Sequence, residues 1–383
     1  LVFATFARAE TLNPWTSPRL FEPPQVYPAP GFEQEGLEAI FYEGPMYEGK
    51  PTRVFAYIGM PPHAPGEKVP AMVLVHGGGG TAFPEWVKLW NARGYAAIAM
   101  DNCGCLPGGE HNQRPRAEQG GPPGWGGFDQ LAKPPEEQWT FHAVADALLA
   151  HSLIRARPEV DAERVGLTGI SWGGYLTCII AGVDPRFKFA ASVYGCGFQG
   201  EDGAWKEQIA KLGPAGQEWL ERWDPAVYLP LVRVPMLWVS GTNDFAYPMD
   251  SLQKSYRLPQ APHTLSIRVR MPHGHPSGEK PEEIHAFADQ WLKGGPPLAR
   301  VSIPKVEGGT FSVTYEAAAP PVKAELNFTR DAGAWKERTW ETAPASVDGG
   351  TVTADLPEGA RVIYVNLVDA QGLVVSSKHV ELR

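Results

Sequence analysis

Leu167-Thr168-Gly169-Ile170-Ser171-Trp172-Gly173-Gly174, directly after Arg164-Val165-Gly166, reads as a serine held on the turn between a buried strand and a helix. So tight a turn admits only small residues around the serine, which accounts for glycine at 169, 173 and 174. A glycine-rich turn with a serine also occurs as plain scaffolding. Its meaning therefore rests on whether the partners of a nucleophilic serine follow along the chain.

Acyl transfer by a serine needs a base to take its proton, an acid to orient that base, and donors for the oxyanion. The acid is expected at Asp244, in Leu237-Trp238-Val239-Ser240-Gly241-Thr242-Asn243-Asp244, because the loop after this strand presents a carboxylate at the carboxyl edge of a parallel sheet. Asp224 and Asp250 are weaker alternatives, and an aspartate here could also simply cap the next helix. The base lies in Arg270-Met271-Pro272-His273-Gly274-His275-Pro276. His275 is preferred, since about five residues separate strand and base and Gly274 frees the chain to turn inward; His273 is the alternative base. Oxyanion donors are expected from the backbone N–H of Trp172, at a helix start, and of Gly78 in Val75-His76-Gly77-Gly78-Gly79-Gly80. His76 is expected to hydrogen-bond within its own loop. The chain order Ser171, Asp244, His275 is that of α/β-hydrolases and not of the chymotrypsin or subtilisin folds.

Around these motifs short β-branched runs alternate with longer helical ones, the pattern of a mostly parallel sheet covered by helices on both faces. Eight strands are expected, at 37–41, 53–58, 71–75, 96–100, 164–167, 187–193, 236–240 and 265–269, with the clearest helices at 84–91, 138–155, 172–182 and 281–293. Residues 106–135, rich in Gly and Pro, and 200–229, with Trp205, Trp219 and Trp223, are read as insertions overhanging the site. After Gly294-Gly295-Pro296-Pro297 the helical period stops and alternating runs such as 310–316, 323–329 and 361–369 predict a small β-sandwich. The expected layout is an N-terminal arm (1–36), an α/β catalytic domain (37–296) and an all-β domain (297–383). The last is expected to pack on the catalytic domain, with polysaccharide binding through Trp335 or Trp340 as the lesser expectation.

The chain has 383 residues, 43% of them hydrophobic and 20% charged, with a net charge of -9. An acidic balance argues against a nucleic-acid or anionic-membrane partner, which a basic face usually meets. The expected partner is a small-molecule or carbohydrate ester, with the oligomeric state left open. Leu1 to Glu10 resemble the tail of a secretory signal with Ala7-Arg8-Ala9 as its cleavage site, so a secreted or periplasmic location is expected, with cytoplasmic as the alternative. The four cysteines, Cys103, Cys105, Cys178 and Cys196, are too few for a disulfide scaffold, though one disulfide is open, and their wide spacing and the absence of neighbouring histidines at ligand distances argue against a zinc site. Cys178 and Cys196 read as small buried hydrophobes. No cofactor and no metal are expected.

Together the Gly-Ile-Ser-Trp-Gly-Gly-Tyr elbow, the His-Gly-Gly-Gly-Gly loop, Gly241-Thr242-Asn243-Asp244 and Pro272-His273-Gly274-His275 resemble the acetyl xylan esterase and cephalosporin-C deacetylase branch of the α/β-hydrolases, over about residues 37 to 293. That resemblance implies a serine esterase acting on acetyl groups such as those on sugars, with Ser171, Asp244 and His275 in the triad positions. The chain departs from the pattern at Gly78, where an aromatic residue is usual, and in its trailing β-domain. The rival readings are a prolyl-oligopeptidase-like serine peptidase, disfavoured because 1–36 is too short for a propeller blade, and a non-catalytic carbohydrate-binding scaffold.

Overall fold

A computed structural model describes residues 13–382; the signal-like segment at 1–9 lies outside them. The central sheet is built from β1 (Val26–Pro28), β2 (Leu37–Tyr47), β3 (Lys50–Gly59), β4 (Val69–Val75), β5 (Ala96–Met100), β6 (Val160–Ile170), β7 (Ala190–Val193), β8 (Met236–Gly241) and β9 (His263–Arg268). Their order is β1-β2-β3-β5-β4-β6-β7-β8-β9. From β5 to β9 all neighbours are parallel, whereas β1, β2 and β3 join antiparallel. Every residue of β4, β5, β7 and β8 is buried, as a parallel strand covered on both faces requires.

The sheet has nine strands, not eight. The extra one, Val26–Pro28, is too short and too polar in context to show a period. It is held because the N-terminal arm wraps the molecule: Trp15 is buried and its Nε1 donates to the Phe141 carbonyl at 2.9 Å. That carbonyl belongs to a helix, Trp139–Arg155, which is buried on nearly every side between the arm and the sheet. With α1 at Pro84–Ala92 and this helix as α2, the helix after the serine, Trp172–Val183, is α3. Among the described residues no helix is long and apolar enough to cross a membrane.

The C-terminal strands form two antiparallel five-stranded sheets. Phe311, Val313, Leu326, Phe328, Ile363 and Val365 fill the space between them. This domain docks on β9, the exposed edge of the central sheet. Ile267 N–H donates to Ser376 Oγ (2.8 Å) and Asn366 Nδ2 donates to the Ile267 carbonyl (3.0 Å), so the edge groups of the strand are satisfied by side chains. Trp335 and Trp340 are both buried, so neither offers a face to a polysaccharide.

Candidate active site

Four loops leave the carboxyl ends of β4, β6, β8 and β9 at one rim of the sheet. The turn after β6 places Ser171 at φ 59°, ψ -119°, a left-handed conformation unusual for a residue with a side chain, and so evidence of a backbone held in place by its surroundings. The surrounding glycines show what holds it. A Cβ on Gly173 would strike the Val75 carbonyl, and one on Gly169 would strike the Gly173 carbonyl, so β4, β6 and α3 meet at backbone distance. Ser171 N–H donates to the Val193 carbonyl at 2.8 Å, which ties the elbow to β7 as well.

Asp244 is 2% exposed. Its Oδ1 accepts the N–H groups of Ala246 (2.9 Å) and Tyr247 (2.8 Å), leaving Oδ2 directed at an imidazole: His273 Nδ1 is 2.7 Å away. The other nitrogen of that ring, Nε2, is 2.8 Å from Ser171 Oγ. With Asp244 ionised, Nδ1 donates to it and Nε2 is left to accept the serine proton. Tyr194, Phe245 and Tyr247 pack around the His273 ring at centroid distances of 4.7, 4.9 and 6.4 Å.

The expected base, His275, does not reach the serine, and His273 takes that place. The strand ends at Arg268 and the chain turns sharply at Arg270, whose φ is 52° and whose N–H donates to Thr242 Oγ1 at 3.0 Å. Tyr194 Oη then fixes the Pro272 carbonyl at 2.8 Å. The shortened turn delivers residue 273 to the serine, and the next residues coil into a helical turn, His275–Gly278. His275 is carried onto the pocket wall, stacked on Phe83 (4.0 Å between centroids) and edge-on to Trp86 (4.7 Å). Burial there holds its imidazole below the ordinary histidine range, against the pull of Glu279, whose carboxylate is 3.4 Å from Nε2.

The weaker acid alternatives are occupied elsewhere. Asp224 caps a short helix, accepting N–H groups from Phe198, Gln199 and Ala226, and burial pushes its carboxyl up to about 6. Asp250 lies in the helix Met249–Tyr256.

Gly78 and Trp172 both line the pocket over Ser171. A Cβ on Gly78 would come within 2.7 Å of Trp172 Cδ1, so only glycine lets this loop lie so close. Among the described residues the Gly78 N–H has no protein acceptor. His76 holds its own loop, with Nδ1 2.9 Å from the Gly77 carbonyl and Nε2 accepting the Asn102 N–H at 3.2 Å.

Both insertions reach this site. Asn112 N–H donates to the Gly79 carbonyl (3.2 Å), and Trp125 packs edge-on to His76. Trp219 is buried and donates from Nε1 to the Gly126 carbonyl at 2.6 Å, pinning one insertion to the other. Trp223 donates to Gln138 Oε1 at 2.8 Å. Of the three tryptophans in the second insertion only Trp205 faces the cavity, against Trp172 at 4.3 Å. The cavity itself holds about 750 Å³, within the size range of small-molecule sites.

The fold is that of the α/β-hydrolases, and its rim brings Ser171, His273 and Asp244 into one hydrogen-bonded row. Residues 39–199 match the acetyl xylan esterase family (AXE1), and residues 130–294 match the prolyl oligopeptidase family. The chain is similar to the alpha/beta hydrolase psoB of Aspergillus fumigatus, at 29% identity over 176 residues, covering 43% of this chain and 34% of that one. It spans about a third of the length of the curated relatives it matches. Among solved structures, the acetyl xylan esterase from Paenibacillus sp. R4 superposes with a TM-score of 0.56 at 22% identity, covering 76% of this chain and 93% of that one. The acylaminoacyl peptidase of Pyrococcus horikoshii gives 0.53 at 20% identity, covering 69% and 43%. The chain has the α/β-hydrolase fold, and both family matches support a serine hydrolase.

Proposed function

We propose that this chain is a carboxylic-ester hydrolase that works through an acyl-enzyme on short-chain, acetyl-type esters. One observation carries the reading: an unbroken run of hydrogen bonds from Asp244 through His273 to Ser171 Oγ, opening on a cavity roofed by a glycine loop. His273 Nε2 takes the Ser171 proton as Oγ adds to the ester carbonyl, and Asp244 stabilises the imidazolium formed. The oxyanion draws on the N–H groups of Gly78 and Trp172, the second at the positive end of α3. His273 then returns its proton to the leaving alcohol, and a water activated by the same ring releases the acid.

Short acyl groups follow from the walls, since Trp125, Trp172, Trp205 and Phe245 are large and stand around Ser171. A sugar-like leaving group suits the remainder, where apolar rings alternate with Asn112, Arg114 and Glu279. A peptidase is the second reading, because the prolyl-oligopeptidase match spans Ser171, Asp244 and His273 together while the acetyl xylan esterase match ends before the last two. Hydrolysis of p-nitrophenyl acetate beside an aminoacyl-proline amide separates the two: ester turnover with a flat amide response is expected, and the opposite result makes the chain a peptidase. Ser171→Ala should lower ester turnover on the order of a million-fold and abolish fluorophosphonate labelling.

A further inference from the structure

The first insertion brings three polar side chains to the cavity wall beside the glycine loop. Gln113 N–H donates to the Glu110 carbonyl at 2.9 Å, closing a tight turn whose Asn112 sits at φ 61°, a left-handed position that asparagine tolerates. The turn rests on Gly79, whose carbonyl accepts the Asn112 N–H at 3.2 Å and Arg114 Nε at 3.4 Å. A Cβ on Gly79, itself at φ 68°, would strike the Asn112 amide and come within 2.6 Å of His111 Cε1. His111, Asn112 and Arg114 are thereby fixed against the neighbour of Gly78, and all three line the cavity over Ser171.

The fold uses Arg114 only in part. Nε goes to Gly79 and Nη1 to the carbonyls of Gly108 (3.1 Å) and Gly109 (2.8 Å), which holds the guanidinium in one orientation. Among the described residues Nη2 meets no acceptor, no carboxylate pairs with the guanidinium, and the side chains of His111 and Asn112 have no protein partner. The two carboxylates of the cavity stand on another wall, where α1 meets the helical turn His275–Gly278: Glu85 accepts Lys88 Nζ at 3.1 Å, and Glu279 lies 3.4 Å from His275 Nε2. Bracing carbonyls needs donors but no charge; the charge and the open Nη2 suit a planar anion with two acceptor oxygens, and the amide and imidazole beside them add further N–H donors.

We propose that Arg114, with Asn112 and His111, binds a carboxylate on the alcohol part of the ester, so that the preferred substrates are acetyl esters of carboxylate-bearing alcohols. The inference rests on the esterase reading above. The alcohol side is assigned because the large rings around Ser171 leave space for a short acyl group only. The anchor holds a part of the substrate that does not react, so its effect falls on KM and not on kcat.

Matched aryl acetates test this: meta-acetoxybenzoate and its amide, meta-acetoxybenzamide, are nearly equal in size and differ in charge. The unaltered chain should favour the anionic ester by at least about tenfold in kcat/KM, through KM, and added salt should erode the preference. Arg114→Gln should bring the ratio of the two esters to about one, and Arg114→Lys, which keeps the charge and loses the fork, should keep part of it. The ratio is the readout because a loosened glycine loop would slow both esters alike. Equal kcat/KM values in the unaltered chain, or a preference that Arg114→Gln retains, overturn the site. If Arg114→Gln fails to fold, inhibition of p-nitrophenyl acetate hydrolysis in the unaltered chain decides instead: meta-hydroxybenzoate should act at a concentration at least about tenfold below that of meta-hydroxybenzamide, and equal inhibition sinks the proposal. Turnover of neither ester removes the esterase reading and this proposal with it, whereas turnover of both without preference removes this proposal alone.

Discussion

Asn243 Nδ2 sits 2.7 Å from the Arg338 carbonyl and 3.1 Å from that of Lys336, so the residue beside Asp244 is tied to a loop of the C-terminal domain. Thr242, on its other side, donates from Oγ1 to Asn243 Oδ1 at 2.8 Å and accepts the Arg270 N–H of the histidine turn. The β-domain therefore braces the acid loop and, through Thr242, the turn that carries His273. Neither link is visible in the local pattern, because both bridge segments more than twenty residues apart.

Asn243→Ala should accordingly lower kcat for a small ester by roughly ten- to a hundredfold, through misplacement of Asp244 and His273, while KM moves by no more than about twofold. Its global stability should fall by only about 1 kcal/mol, the net worth of such hydrogen bonds. Steady-state kinetics beside urea unfolding checks both. A loss of stability with unchanged kcat would reduce the contact to plain domain glue.

Between the two histidines the contrast should be large. His273→Ala removes the group between Asp244 and Ser171 and should cost on the order of a million-fold in kcat, as much as losing the serine, since such residues act as a unit. His275→Ala opens a gap between Phe83 and Trp86 and should cost less than about tenfold, mostly in KM. Comparable losses at both positions would mean that the ring at 275 reaches the substrate.

Much of the architecture was legible because β4, β5, β7 and β8 are buried on both faces and must therefore be short, continuous apolar runs. The elbow was legible for a related reason: Gly169 and Gly173 stand where backbones touch. What escaped was set by geometry without periodicity. Arg270, an arginine in a left-handed conformation, gives no local signal, yet it shortens the turn and decides which histidine meets Ser171. Likewise Val26–Pro28 becomes a strand only because β2 offers it an edge.

Gly78→Ala should be a sharper test of the roof than any removal of a side chain. The added methyl would meet the Trp172 ring at 2.7 Å and Trp125 at 3.6 Å, which pushes the loop and its N–H away from the acyl oxygen. A fall in kcat of roughly a hundred- to a thousandfold is expected, comparable to losing an oxyanion donor, with fluorophosphonate labelling slowed in parallel. Full activity in the alanine variant would move the second donor elsewhere in the glycine run.

Acid sensitivity follows from His142 and His285, which burial pushes down to about 4. Their folded-state values lie below the ordinary histidine value, so the unfolded chain takes up protons first as pH falls. Their contribution is fully present above about pH 6.5 and is lost progressively between there and pH 4, each removing about 1.4 kcal/mol per pH unit across that window. Urea midpoints measured from pH 7 to pH 4.5 should fall steeply, and His142→Phe, which stays neutral, should flatten the slope by one proton. An unchanged slope would place the proton uptake at other groups.

Glu283 offers the last test, at the seam between the domains. It is fully buried, its Oε1 accepts Arg268 Nη2 at 2.6 Å and also the Val374 N–H, so one carboxylate joins β9, the helix Glu282–Leu292 and the C-terminal domain. Arg268→Ala would strand that buried charge with a single N–H and should cost about 3 kcal/mol. Arg268→Ala together with Glu283→Gln removes the charge as well and should recover a good part of the loss, because an amide can be buried with that one hydrogen bond more cheaply than a carboxylate. Urea unfolding of the single and double variants measures the coupling; a double variant no more stable than the single would show that the arginine contributes by packing its stem, and not by pairing.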